Sequence, residues 1–508
     1  VNGRAVIIGG DAARLPLPDE SVDCIVTSPP YWGKREYLDD WEPIPGQLGS
    51  EADWRDYLDR LVSWTAEWAR VLKPHGSMFV NLADKFSDRG HGPNQGRGTG
   101  RGPQGGRAVR QSRGAREKSL LNLPHRYAIR CTDELGLIQR ADIVWESNRL
   151  PSSATDRVRF DHEAMLHFTK RPRYYQATDL IREPIGYPGK SRTSRKANEA
   201  WLWAGPDKAK QGGLANGEEN PLGRIPGSVW RIPTYPLKCP RYYWRDPDGG
   251  LQWLRDDAEA WRWVEATGRR YNRVPRDDTD KVWLRAAPDH YAAFPPDLVR
   301  PLLQGWCPQQ VCTACGQGRF PVTEKTRHVD SGGAHVPGAT QVANGAAVTG
   351  YSMPSKWRTS SVVTGWACGC TPSTLTRPRT KTVTPGRMLG RGPEAQDLRA
   401  EAAGTRHHGN TWPDREPQRT YHLDGWVPPP AVPGIVLDPC SGTGTVQLVA
   451  ATLGMIGLGA ELSHDYRLLA TWRVNDPGEQ AAAIGVARPT RQPHDQGELF
   501  ARAELLDG

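Results

Sequence analysis

Two apolar patterns alternate along this chain: short unbroken runs, and longer stretches in which apolar positions recur every three or four residues. The first predicts buried parallel strands and the second amphipathic helices. Ala5-Val6-Ile7-Ile8, closed by Gly9-Gly10-Asp11, predicts a strand with an acid at its carboxyl end. Val22-Asp23-Cys24-Ile25-Val26 predicts another, stopped at Thr27-Ser28-Pro29-Pro30-Tyr31-Trp32 because consecutive prolines cannot donate to a ladder. After a capping stretch at Ser50-Glu51-Ala52-Asp53, the positions Trp54, Tyr57, Leu58, Leu61, Trp64, Trp68, Val71 and Leu72 keep helical spacing. Pro74 and Gly76 are expected to end that helix, and Ser77–Leu82 to form the next strand, completing a βαβ unit. A helix bounded by Pro124 and Gly136 follows, then strands at Ala141–Trp145 and Glu163–Phe168. Residues 251–267 read as one amphipathic helix, and a short helix runs from the Phe294-Pro295-Pro296 stretch to about Gly305. Near the carboxyl end the order is strand (Ile435-Val436-Leu437), glycine-rich turn, helix (Val446–Leu453) and strand (Ile456–Glu461), with Ser463 capping a last helix.

The ends of these strands carry the candidate chemistry, since open α/β sheets bind ligands there. Ser28, the Pro29 carbonyl and the Tyr31 ring would suit a planar base with an exocyclic amine; the competing reading is a proline-rich turn with a half-buried tyrosine. In Asp438-Pro439-Cys440-Ser441-Gly442-Thr443-Gly444-Thr445 the glycines allow close approach of a ligand, and Glu461 ends the following strand where it can hold ribose hydroxyls. No Gly-Lys-Ser/Thr follows, so this is not a phosphate P-loop. His162-Glu163 resembles a metal pair, but adjacent strand residues face opposite ways, and both read as structural.

Composition changes this picture in three places. The 508 residues allow two or three domains, but 54 Gly, 44 Pro and a hydrophobic fraction of 37% assign part of the chain to loops. No stretch approaches the roughly 20 apolar residues of a membrane span, and no signal-like segment opens the sequence. The net charge is only +9, yet residues 85–118 hold nine Lys/Arg against two acids. That Gly/Arg-rich loop is either solvated and mobile or a clamp for phosphates. Aromatics interleave with cations at Tyr174-Tyr175, Trp201, Trp203, Trp230-Arg231 and Arg241–Arg245, a pattern for nucleic acid or simply for core tryptophan. Nine Cys without an export signal argue for thiols or metal. Cys312 and Cys315, with Cys368 and Cys370 some fifty residues on, read as a four-thiolate structural zinc site. Cys307 is a rival ligand, and reduced cysteines in a loose insertion are the alternative.

Taken together, the two ends of the chain resemble the amino-group DNA methyltransferases of the β arrangement, in which the SPPY or DPPY half precedes the cofactor half. Ser28-Pro29-Pro30-Tyr31 matches the target-base motif, and Asp438–Gly444 is similar to the S-adenosylmethionine loop. Glu461 resembles the ribose-binding acid, Asp11 the acid near the adenine ring, and Phe294-Pro295 the segment completing the cofactor pocket. The stretch from Trp145 through Pro151, Asp156-Arg157 and His162-Glu163 to Tyr174-Tyr175 is similar to a strand pair of this branch. Cys440 departs from the usual Phe, leaving less apolar surface beside the cofactor.

The resemblance implies a Rossmann-like α/β fold with a seven-stranded mixed sheet, a small zinc-binding insertion and a loop-rich target-recognition region. Residues 1–190 would be the catalytic half, 191–285 the target-recognition region and 286–306 the cofactor-pocket segment. Residues 307–431 would be the insertion, with loop or disorder over 371–430, then 432–475 the S-adenosylmethionine half and 476–508 a polar tail. The implied activity is methylation of a flipped base in double-stranded DNA by a cytoplasmic, bacterial or phage-encoded enzyme, with a companion restriction endonuclease as a possible partner. Ser before the prolines points to cytosine N4, with adenine N6 as the alternative. A non-catalytic DNA-binding protein that keeps the fold is the reading from another class.

Overall fold

The structure is a computed structural model that describes residues 3–33, 38–39, 42–87, 115–147, 155–183, 224–234, 240, 242–245, 251–254, 257–267, 285–286, 295–329, 335–343, 346–352, 357–376 and 418–487. Eight strands form the central sheet: β1 (Arg4–Gly9), β2 (Val22–Thr27), β3 (Leu72–Leu82), β4 (Ile138–Glu146), β5 (His162–Thr169), β6 (Val229–Arg231), β7 (Ile435–Asp438) and β8 (Ile456–Glu461). The helices are α1 (Trp54–Val71), α2 (Leu123–Leu135), α3 (Asp257–Thr267), α4 (Pro296–Trp306), α5 (Thr445–Thr452), α6 (His464–Asn475) and α7 (Pro477–Ala483).

The sheet order is β1-β8-β7-β2-β3-β5-β4-β6. Neighbours are parallel except at β5, which runs against both β3 and β4. The opening and closing parts of the chain therefore share one sheet: β1 pairs with β8, and Cys24 and Ile25 of β2 pair with Val436 and Leu437 of β7. Every residue of β2 is buried, as expected of a strand covered on both faces. On one face α1 and α2 pack against Val22, Ile25, Met78, Val80 and Phe168. On the other, α4 and α5 cover Cys24, Val26, Phe79, Met165 and Val436. No helix among the described residues is long and apolar enough to cross a membrane.

Several elements differ from expectation. The sheet has an eighth strand, β6, too short to carry a pattern; its Trp230 is buried with Trp145, so this aromatic is core rather than nucleic-acid contact. Helix α1 starts on Asp53, whose side chain accepts from Arg55 N, and ends at Val71 without help from Pro74 or Gly76. Those two residues lie inside β3, where the register against β2 slips from Val22↔Leu72 to Cys24↔Ser77. An irregularity of this kind is where a strand tolerates proline. The expected single helix over 251–267 is a strand, Leu251–Leu254, antiparallel to Tyr242–Arg245, followed by α3. Pairing with the aromatic strand outweighs the helical spacing of Leu251 and Leu254.

The insertion also carries more order than its composition suggests. Phe320–Val329 pairs with Trp357–Ala367, His335–Ala343 with Ala346–Ser352, and Ser373–Thr376 with Gln418–Tyr421. The last pair lies within the stretch expected to be loop, and α7 lies within the expected polar tail, with Glu479 and Ala483 buried. Residues 88–114 of the basic loop, 184–223, Phe294, 377–417 and the tail from 488 lie outside the described residues.

Candidate active site and cysteine cluster

At the carboxyl end of β2 the chain turns through Pro29 and Pro30 and exposes Ser28 and Tyr31 only in part, while Trp32 is buried. Two contacts hold this corner from below. Trp32 Nε1 donates to the Glu51 carbonyl at 2.9 Å, and Gly33 N donates to the Gly49 carbonyl at 2.9 Å. Gly49 has φ +85°, and a Cβ there would stand 2.8 Å from the Tyr31 carbonyl oxygen. Only glycine satisfies both the backbone angle and the contact.

The side chains of the corner meet three residues from other strands. Thr27 Oγ1 donates to Asp438 Oδ1 at 2.7 Å, tying β2 to the end of β7 across a sequence separation of 411. Ser28 Oγ donates to the Tyr31 hydroxyl at 3.1 Å and lies 3.4 Å from Asn81 Oδ1 on β3. The Tyr31 hydroxyl is 2.5 Å from Asn81 Oδ1 and 2.6 Å from Glu163 Oε2 on β5. Asn81 Nδ2 donates to the Ala164 carbonyl at 3.1 Å, which orients its amide oxygen toward the corner. His162 and Glu163 do face opposite ways, and that alternation carries Glu163 onto Tyr31 while His162 lies beside Asp161.

The glycine-rich turn stands next to this corner. Asp438 ends β7; its Oδ1 also accepts from Cys440 N at 3.0 Å. Gly442 (φ +51°) donates its N–H to Glu461 Oε2 at 2.8 Å, and Ser463 N donates to Glu461 Oε1 at 3.0 Å. Pro439, Ser441, Thr443 and Gly444 are buried beneath the turn. Ser441 Oγ donates to Gln447 Oε1 at 3.1 Å. Behind it, the fully buried Arg473 donates to Thr443 Oγ1 at 3.0 Å and Thr445 Oγ1 at 2.6 Å, with Glu479 Oε2 2.9 Å from its Nε. Asp11, at the end of β1, is exposed and accepts from Ala13 N at 2.9 Å. Pro295 is buried at the start of α4.

The electrostatics show that these acids converge. Burial first, and then the negative charges of Asp438, Glu461 and Asp11, push the Cys440 thiol well above its ordinary value. Burial raises Asp438 to about 7, against the pull of the Thr27 and Cys440 hydrogen bonds, and it also raises Glu461. Desolvated carboxyls of this kind are relieved by a bound cation. Main-chain N–H groups, a glycine turn and acids on adjacent strand ends fit a nucleoside with a cationic substituent. His167 is the opposite case. Buried and stacked on Phe79, it is held neutral, pushed down to about 3, and belongs to the core.

Of the predicted site residues, the structure brings together Ser28–Tyr31, Asp11, Asp438–Gly444 and Glu461 along one sheet edge. Thr27, Asn81, Arg473 and Glu479 were not anticipated, and Glu163, read from the sequence as structural, instead faces the corner and meets the Tyr31 hydroxyl. A polar Asn81 within the apolar run Met78–Leu82 was the available signal.

The four cysteines meet at the base of the insertion. Cys312 ends a short strand, Gln310–Cys312, paired with Ala431–Pro433, which leads into β7. Gly316 N donates to the Cys312 carbonyl at 2.9 Å, turning the chain so that Cys315 faces the same centre. Cys368 and Cys370 come from a second turn, closed by Thr371 N on the Cys368 carbonyl. The sulfurs of Cys312, Cys315, Cys368 and Cys370 lie within 4.8 Å of one another, with Cys312 and Cys370 4.0 Å apart. Tetrahedral Zn–S bonds of ~2.3 Å place sulfurs about 3.8 Å apart, so the cluster fits a zinc ion. Cys307, the rival, is buried beside Cys24, and burial pushes its thiol up.

Residues 22–310, more than half of the chain, match a family model described as DNA methylase, of the N6/N4 methyltransferases. Relatives include the type II methyltransferases M.Cfr9I of Citrobacter freundii (36% identical over 191 residues, 36% of this chain and 60% of that one) and M.SmaI of Serratia marcescens (33% over 199 residues, 37% and 64%). M.XycI of Xanthomonas campestris pv. cyanopsidis is 35% identical over 188 residues, 35% of this chain and 59% of that one. In each case the match spans less than two thirds of the relative. The family model and the sheet that joins the two chain ends agree: the chain belongs to the N6/N4 DNA methylase family.

Proposed function

We propose that this chain transfers a methyl group from S-adenosylmethionine to the exocyclic amine of a base flipped out of double-stranded DNA, cytosine N4 in the first instance. The observation that carries the reading is the Thr27–Asp438 hydrogen bond, which sets the Ser28–Tyr31 corner directly beside the glycine turn. Glu461 and the Gly442 region would hold the nucleoside part of the cofactor, and Asp438 its charged part; Asp11, Pro295 and Phe294 complete that expectation. When bound, the cofactor supplies an electrophilic methyl group on a sulfonium centre.

The chain's own residues do the rest. Flipping a base costs on the order of a few kcal/mol, which stacking on Tyr31 and hydrogen bonds at the corner would offset. An aromatic amine is a poor nucleophile because its lone pair is delocalised into the ring. Acceptors at Ser28 Oγ and the Pro29 carbonyl favour the pyramidal nitrogen that attack requires, and holding both reactants on one strand edge supplies proximity. The serine before the prolines supports cytosine. Residues 191–285 and the insertion are the candidate readers of DNA sequence. The names of the relatives as type II methyltransferases support a restriction–modification setting; a companion endonuclease and a cytoplasmic location belong to the same proposal.

The test is to incubate the protein with duplex DNA and S-adenosylmethionine, digest the DNA to nucleosides and weigh them. N4-methylcytosine is expected. N6-methyladenine would replace the target base, and absence of any methylated nucleoside would remove the enzymatic reading. The cysteine cluster is proposed to hold one structural zinc, since four thiolates leave no open coordination position. Metal analysis should find it, and the paired change Cys312→Ser and Cys315→Ser should abolish it and lower thermal stability.

A further inference from the structure

Methylation of an amine leaves one proton too many on the nitrogen, and the proposed reaction needs somewhere to put it. Ser28 Oγ donates to the Tyr31 hydroxyl at 3.1 Å, and that hydroxyl donates to Glu163 Oε2 at 2.6 Å. Two hydroxyls and a carboxyl thus stand in a row from the β2 corner to β5, with both hydrogen bonds pointing the same way. Asn81 Oδ1, 2.5 Å from the Tyr31 oxygen, competes for that single phenolic proton, but an amide oxygen is not a base, and its Nδ2 is committed to the Ala164 carbonyl. Glu163 is 8% exposed, on a strand that the SPPY motif does not include.

We infer that Glu163 is the terminal acceptor of the proton released by the target amine, reached through Ser28 and Tyr31. The inference rests on the methyltransferase reading above. As the N–C bond forms and the S–C bond of the methyl donor breaks, the amine proton passes to Ser28 Oγ. The Ser28 proton passes to the Tyr31 oxygen, and the Tyr31 proton to Glu163 Oε2. The balance closes: a sulfonium and a carboxylate become a thioether and a neutral carboxyl, while the base remains uncharged. The amine proton needs only short hops along bonds already aligned. Glu163 does not touch the base and acts through Tyr31, as a residue that positions the phenol and takes up its proton.

A glutamine keeps the shape of Glu163 and its hydrogen bond to Tyr31 but cannot take up a proton, so E163Q separates relay from mere positioning. Single-turnover methyl transfer to duplex DNA is expected to fall about 100-fold or more in E163Q, the usual scale of lost acid–base catalysis. The dissociation constants for duplex DNA without cofactor, and for S-adenosylmethionine without DNA, should stay within about twofold, since neither is a proton-transfer step. E163D should recover part of the rate. Y31F combined with E163Q should be no slower than the slower single variant, because one relay is broken once. Wild-type transfer should slow in deuterium oxide, and residual E163Q transfer should not. A wild-type rate in E163Q, losses that multiply in the double variant, or weakened binding that accounts for the loss would overturn the relay. Should E163Q not fold, Y31F and E163D decide by the same criteria. A wild-type protein that methylates no base removes the underlying reading and the relay with it. An active wild type with an equally active E163Q removes the relay alone.

Discussion

The two corners of this sheet edge are held by different means. Around the glycine turn, the acids accept mainly from main-chain N–H groups close in sequence, Asp438 from Cys440 and Glu461 from Gly442 and Ser463, with the Thr27 hydroxyl as a distant side-chain donor to Asp438. At the Ser28 corner, by contrast, the tyrosine is held by side chains from Asn81 and Glu163, 50 and 132 positions away. A corner built from backbone fixes shape and charge, which suits binding. One built from hydroxyls, an amide and a carboxyl can rearrange protons, which suits turnover. Damage to the two corners should therefore be separable.

The largest effect is expected where the backbone corner relies on side chains after all. Arg473 and Glu479 are an ion pair 0% and 1% exposed, and Arg473 also holds Thr443 and Thr445. Arg473→Met takes the cationic partner from a buried carboxylate and should cost about 3–5 kcal/mol. Urea unfolding should show this as a lower midpoint with an unchanged slope, and Arg473→Met with Glu479→Met should regain most of the loss. A single variant as stable as wild type would mean that the turn is not anchored from behind.

Next in size is the pair of substitutions that defines the comparison. Ser28→Ala should reduce single-turnover methyl transfer by about 10²-fold or more while cofactor affinity stays within about a factor of two. Glu461→Gln should do the reverse. It weakens charge-assisted hydrogen bonds worth about 1.5–3 kcal/mol, so cofactor affinity should fall by about tenfold or more, with a smaller effect on the saturated rate. Calorimetry and rapid-quench kinetics on the same preparations would separate the two. If both variants lose affinity and rate together, the corners act as one unit.

The same contrast explains what was legible in the sequence. Runs such as Ile435-Val436-Leu437 and the spacing from Trp54 to Trp68 announce their elements because burial is dictated locally. Glu461 could be read together with the glycine turn because its donors Gly442 and Ser463 lie 19 and 2 positions away. Ser28 and Tyr31 could be singled out, but not what holds them. Nothing near Tyr31 signals that Asn81 and Glu163 will close on its hydroxyl; that follows from β3 and β5 pairing antiparallel, with Asn81 opposite Met165. Three-residue β6 and the strand at Leu251–Leu254 were missed for the same reason: each exists because of a neighbour, Trp145 or Tyr243, supplied from elsewhere in the chain. The cysteine quartet lay between these extremes. Spacing singled out four cysteines, the fold gathers their sulfurs, and it sets Cys307 apart beside Cys24.

The smallest expected effect tests the charge stored at the backbone corner. Burial raises Asp438 from 3.8 to about 7, so the folded protein keeps a proton that the unfolded chain has already lost. Stability linked to this proton is complete below about pH 4 and disappears as the pH rises through about 7. Cofactor binding should run the other way, because a cationic ligand favours the ionised carboxylate. S-adenosylmethionine affinity should therefore rise a few-fold on going from slightly acid to slightly alkaline solution, a modest change because Glu461 is raised by burial too and shares the response. Asp438→Asn should bind more weakly and flatten the profile, and its melting temperature should lose the decline that the wild type shows toward neutral pH. Calorimetric titrations at several pH values would measure both limbs. A wild-type affinity indifferent to pH would mean that the cation rests on Glu461 or Asp11 instead, and the division of labour within the backbone corner would have to be redrawn.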